Sequence, residues 1–319
     1  MSVLRRLLPL LCLLSGPLLA APAGKIQHVG VSVASLGNPY FVALTHGVQL
    51  QAREMNPDVR LTVRAAEYDT RRQIAQIREL MEQGIEVLVI SASSEDGLAG
   101  VLEEARQKGI AVIGADVRVK GAAQTVLTNN VRAGELVCTH LARELGGKGR
   151  VLIQNGPPVS SVIDRVAGCK QAFAAHPGIR LLDDRDDGKG SVWGGNAAML
   201  QALKTHGQID AVFTINDRQA LGSLQAIQKA GLGRPLIGSV DGSAAAVKAI
   251  SAGSPLIVSA RQDPVRMGRR AVELGVALWQ GGKPEPALEL LETTLATRAN
   301  ASQITAWDAD KPDAPSKQP

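Results

Sequence analysis

Nine side chains of this chain fall where a strand pattern gives way to a loop or helix start, and their types suit the grip of a polyhydroxylated molecule. Asp116 closes I-A-V-I-G-A-D, Asn216 ends A-V-F-T-I-N, Asp241 follows L-I-G-S-V, and Gln262 follows L-I-V-S-A-R. Arg165 lies in D-R-V-A-G, Trp193 in V-W-G-G-N, and Asn38, Tyr40 and Phe41 in N-P-Y-F. Carboxylates and amides can hold pairs of hydroxyls, an arginine donates to ring or hydroxyl oxygens, and aromatic faces cover C–H patches. Taken singly, an Asp or Asn at a strand end often does no more than cap the next helix. The mixture of carboxylates, amides, one arginine and aromatics favours the binding reading for the set.

Other chemistries lack their signatures. No G-x-G-x-x-G follows a strand and no G-x-x-x-x-G-K-[ST] occurs, so nucleotide-phosphate cradles are missing. Asp183–Gly188 begins like a calcium loop, but Arg185 takes the third ligand position and Gly194 the twelfth. The five histidines are scattered, with no pair at metal-ligand spacing. Ser239 sits in G-S-V-D-G, which is not a nucleophile elbow. The sequence therefore predicts no metal, no cofactor and no enzyme.

The elements that must hold these residues read as strands and helices in alternation. Strands are expected at Ile26–Val33, Arg60–Ala65, Val87–Ser91, Ala111–Gly114, Gln124–Thr128, Arg150–Gln154, Ile179–Leu182, Ala211–Ile215, Leu236–Val240 and Leu256–Ala260. Helices fill most of the gaps, with apolar stripes such as Ile74, Ile77, Leu80 and Met81. In V-G-V-S-V-A-S-L-G-N-P-Y-F, Asn38 suits an N-cap and Pro39 the first helical position, which sets Tyr40 and Phe41 beside the strand end. Such alternation means parallel sheets covered on both faces, with ligands at the carboxyl edge. Ten strands are too many for one core, so the fold class is α/β with two similar doubly wound lobes.

The 319 residues carry 35 basic and 30 acidic side chains, and no Lys/Arg block exceeds two residues, so a nucleic-acid partner is not expected. Met1–Ala23 has a basic start, a Leu-rich run and Ala21-Pro22-Ala23, which together read as a cleaved secretory signal peptide. Without Arg5 and Arg6 the balance is 33 against 30, about +3. Lys311–Pro319 reads as a disordered tail. Cys138 and Cys169 fall on helices flanking one strand; export permits a disulfide, while a buried pair of free thiols is the reading favoured here.

The motifs N-P-Y-F, D-R-V-A-G, F-T-I-N-D, V-D-G and R-Q-D-P, in this order and spacing, resemble those of the ribose-type periplasmic sugar-binding proteins of bacterial ABC transporters. The resemblance spans about residues 25–300. It implies two lobes joined by three crossing strands, residues 24–128 plus 262–290 and residues 129–261 plus 291–310, with a ligand cleft between them. It also implies a monomer that captures a sugar or polyol in the periplasm and delivers it to a membrane permease. The alternative is a sensory protein that presents its ligand to a receptor kinase or chemoreceptor. By the same resemblance, Asn38, Tyr40, Phe41, Asp116, Arg165, Asn216, Asp241 and Gln262 touch the ligand, and Trp193 supplies the second-lobe aromatic. One position departs: ribose binders place Arg directly after the fourth-strand aspartate, where this chain has Val117 followed by Arg118. The resemblance therefore leaves the sugar open.

Overall fold

The computed structural model describes residues 24–231, 233–283 and 286–308. The leader expected over Met1–Ala23 and the tail expected over Lys311–Pro319 lie outside the described residues.

The first lobe opens with β1 (His28–Val33), α1 (Pro39–Met55), β2 (Arg60–Ala65), α2 (Thr70–Glu82), β3 (Val87–Ile90), α3 (Ala99–Gln107), β4 (Ala111–Ala115) and β5 (Gln124–Thr128). The second follows with α4 (Asn130–Glu144), β6 (Lys148–Gln154), α5 (Ser160–Ala174), β7 (Gly178–Asp183), α6 (Val192–His206), β8 (Ala211–Thr214), α7 (Asp217–Ala230), β9 (Leu236–Asp241), α8 (Ala244–Ser251) and β10 (Leu256–Arg261). The chain then returns through α9 (Pro264–Trp279) and ends in β11 (Leu288–Leu291), β12 (Thr294–Thr297) and a short 3-10 turn at Ala301–Gln303.

Two six-stranded sheets result, ordered β2-β1-β3-β4-β5-β11 and β7-β6-β8-β9-β10-β12. Each repeats the same doubly wound order. The strands are parallel, as Val31 opposite Val63 illustrates, except that β12 runs antiparallel to β10. Buried Val and Ile fill them because helices cover both faces: Val29, Val31, Val87 and Val89 belong to one cluster with helix residues Leu44 and Val272. The chain passes between the sheets three times, from β5 to α4, from β10 to α9 and from β11 to β12. Sequence reading missed β11 and β12. They are four residues each, and Leu288 and Leu290 are exposed, so neither shows a buried pattern.

One expectation is corrected. Cys138 on α4 and Cys169 on α5 are joined by a disulfide, with Cα atoms 5.1 Å apart, rather than lying as free thiols. The close approach of the two helices makes this possible. Gly134 and Gly168 lie at their contact, and a Cβ on either would collide with a carbonyl oxygen of the other helix, that of Arg165 or of Val131.

Candidate functional site

In an order of this kind, the switch point lies where the chain leaves the first strand of a lobe on one side and the third on the other. Both switch points face one cavity between the sheets. Ala34 after β1 and Ser91 and Ala92 after β3 contribute from one lobe; Pro157 after β6 and Ile215 after β8 contribute from the other.

Eight of the nine candidate residues line this cavity: Asn38, Tyr40, Phe41, Asp116, Arg165, Asn216, Asp241 and Gln262. Trp193 does not. The α6 helix begins at Val192, capped by Ser191, so Trp193 falls in its first turn. There it is 71% exposed, with Lys189 Nζ 5.6 Å from its ring centroid. Gly190, just before that turn, lines the cavity instead. Sequence reading also missed Tyr68, Ser91, Ser161 and the aliphatic residues Val117, Pro157, Val159 and Val162. Tyr68 could have been found as an aromatic residue just past the carboxyl end of β2.

Local rules place several of these groups. Asn38 Oδ1 accepts from the Tyr40 N–H, and Pro39 occupies the first turn of α1. Tyr40 and Phe41 are thereby driven inward, edge to face with centroids 5.5 Å apart. Asn216 caps α7 by accepting from Gln219 N–H and donates to the Gly190 carbonyl. Capping and a place in the wall are thus compatible for these two residues. Asp241 caps nothing: Ser243 caps α8. Asp241, Asp116 and Tyr68 have φ of 136°, 72° and 61°, conformations that non-glycine residues adopt at a cost. All three line the cavity.

The charged groups are interlocked. Arg165, 5% exposed, donates from Nε to Asn130 Oδ1 at 2.8 Å and from Nη1 to the Ile215 carbonyl at 2.8 Å. Its Nη1 lies 3.8 Å from Asp241 Oδ1, and Nη2 has no hydrogen-bond partner among the described residues. Gln262, on the β10–α9 crossing, donates to Asp241 Oδ1 at 2.7 Å and accepts from Thr128 Oγ1 on the β5–α4 crossing. One cation therefore faces two buried carboxyls. Burial raises the pKa of Asp116, against the pull of Arg165. Burial, then the neighbouring Asp217, push Asp241 up to about 8, with Arg165 and the Gln262 donor opposing. Among the described residues no group of three or more His, Cys, Asp or Glu could hold a metal ion.

This two-lobe fold is matched by known proteins. A family model described as a periplasmic binding protein domain matches residues 29–283. The chain belongs to the periplasmic binding protein family. It is 28% identical to the ribose import binding protein of Bacillus subtilis over 87% of this chain and 91% of that protein. It is likewise 28% identical to a xylitol-binding protein of Mycolicibacterium smegmatis, over 76% of this chain and 69% of that one. A solved solute-binding protein of an ABC transporter from Mycobacterium smegmatis, with bound glycerol, superposes with a TM-score of 0.81 at 29% identity. That match covers 88% of this chain and 96% of the other.

In a binding protein of this family, a buried acid in the cleft makes the empty protein sensitive to pH. The native pKa of Asp241 is raised from an unfolded value of about 3.9 to about 8. Its contribution to stability is therefore fully present below the unfolded value and is lost as pH rises through about 8. The ligand-free protein is expected to melt at a lower temperature at pH 9 than at pH 6, and Asp241→Asn to remove most of that difference. Scanning calorimetry at the two pH values checks this; an equal loss in the variant would contradict it.

Proposed function

We propose that this chain is a periplasmic solute-binding protein that captures a sugar or polyol between its lobes and delivers it to the permease of an ABC transporter. The observation that carries the reading is the wall of the cavity, in which Arg165, Asp116, Asp241, Asn216 and Gln262 are drawn from both lobes and a crossing segment. Hydroxyls supply both donors and acceptors, so they can satisfy Arg165 Nη2 and the carboxyl oxygens together. Phe41 and Tyr40 offer aromatic surface for C–H groups. The names of the relatives, ribose and xylitol binders, and the glycerol in the solved neighbour point to the same ligand class.

On this reading Asn38, Tyr40, Phe41, Asp116, Arg165, Asn216, Asp241 and Gln262 contact the ligand, and the protein is a non-catalytic monomer with no nucleic-acid partner. The lobes are residues 24–128 plus 262–290 and residues 129–261 plus 291–310. Calorimetric titration against pentoses, hexoses and polyols tests the ligand class. Binding at micromolar or tighter affinity is expected, and silence across the whole panel would defeat the reading.

Two further outcomes follow. Contacts from both lobes favour the closed form, so small-angle scattering should give a smaller radius of gyration with the tightest ligand of that panel than without it. An unchanged radius counts against closure. Met1–Ala23 should direct export and be removed, so N-terminal sequencing of protein from the periplasm should begin near Gly24. Recovery of an intact Met1 in the soluble cytoplasm would refute export.

A further inference from the structure

The wall of the cavity is chemically divided. Arg165, Asp241 and Gln262 are tied by hydrogen bonds to one another or to Thr128 and Asn130, beside the crossings. Ser161, one helical turn before Arg165 on α5, falls on their side of the helix. Where the start of α5 meets the loop after β4, the lining side chains are aliphatic: Val117, Pro157, Val159 and Val162. Val159 packs against both lobes, touching the first-lobe cluster that contains Val117 and the second-lobe cluster that contains Val162. The patch is therefore a seam between the lobes.

The adjacent cation is turned out of this seam. Arg118 is not part of the cavity wall. Its guanidinium forks onto both oxygens of Asp164 in the other lobe, at 2.6 and 3.2 Å, and lies 3.5 Å from Glu95. Its backbone N–H donates to Ser160 Oγ at 2.7 Å. Both charge partners keep Arg118 outside while Val117 faces in. A ligand hydroxyl turned toward the seam would lose its water and find no side-chain partner there. A methyl group or deoxy carbon would lose nothing and would gain packing.

We propose that the ligand carries an apolar edge, a deoxy carbon or a C-methyl group, which rests on Val117, Val159 and Val162 while its hydroxyls face Arg165, Asp116 and Asp241. This rests on the sugar-or-polyol reading above and narrows it. Positions 117 and 159 then set specificity, by excluding the more hydroxylated analogue.

Matched pairs test it by calorimetric titration of the mature full chain: D-fucose with D-galactose, L-rhamnose with L-mannose, and deoxyribose with ribose. In the pair that binds tightest, the deoxy member is expected to bind roughly tenfold tighter or more, since a hydroxyl stranded in an aliphatic pocket costs about that. Val117→Thr, nearly the same shape with one added hydroxyl, should narrow this ratio. Val159→Thr should do the same at a partly exposed position, where folding is less at risk. A hydroxylated member that binds as tightly as its deoxy partner in the unaltered protein, or a ratio unmoved by both variants, overturns the inference while leaving the ligand class standing. If neither these pairs nor the wider panel bind, the ligand class itself falls, and this inference with it.

Discussion

Arg165→Ala is expected to weaken binding of the tightest sugar or polyol by tenfold to a hundredfold or more. Charge-assisted hydrogen bonds of a buried arginine contribute roughly 1.5–3 kcal/mol each, and each 1.4 kcal/mol is about tenfold in Kd. The side chain is nearly inaccessible and its Nη2 has no partner among the described residues, so the ligand is the natural partner for that donor. The same variant should also destabilise the empty protein. It leaves Asn130 Oδ1 and the Ile215 carbonyl without their donor, and Asp241 without its nearest cation.

Asp241→Asn separates the two effects. It too should weaken binding, by roughly tenfold, because a carboxyl oxygen that can accept from a ligand hydroxyl is replaced by an amide N–H. Yet the empty protein should become more stable at pH 9, since a buried carboxyl that resists ionisation has been removed. A purely structural Asp241 would move both quantities the same way. Titration and melting curves on the same preparations distinguish these outcomes; affinities unchanged within twofold in both variants would take Arg165 and Asp241 out of the site.

The second large effect concerns the bond between Cys138 and Cys169. It closes a loop with a sequence separation of 31 in a lobe that has no other cross-link among the described residues. Restricting the unfolded chain by a loop of that size contributes roughly 3–4 kcal/mol at 25 °C, so Cys169→Ser should lower the melting temperature by roughly 5–12 °C. Arg165 lies one turn before Cys169 on α5, and its partner Asn130 starts α4, the helix that carries Cys138. Loss of the bond should therefore also loosen the Arg165–Asn130 pair and cost some affinity. Thiol titration of the unfolded, unreduced protein checks the premise: no free thiol from these two residues is expected, and two would contradict the bond.

The strands and helices, apart from β11 and β12, and eight residues of the cavity wall are legible in the sequence because their causes are local. Valine at every second position makes β1, a three-and-four apolar stripe makes α2, and Asn38-Pro39 starts α1 where the strand stops. A side chain just past a parallel strand is thereby assigned to the edge where ligands bind, whichever sheet the strand joins. The failures are those of distance. The short strands β11 and β12 acquire their identity only by pairing with β5 and β10, far away in the chain. The disulfide depended on how closely α4 and α5 approach, which Gly134 and Gly168 permit but no periodicity announces. Trp193 was misplaced because it falls inside the first turn of α6, which turns its side chain to solvent. Val117 and Arg118 show the limit most sharply. Adjacent in sequence, they are sent to opposite sides of the wall by Asp164 and Val159, residues of the other lobe that only the tertiary structure brings beside them.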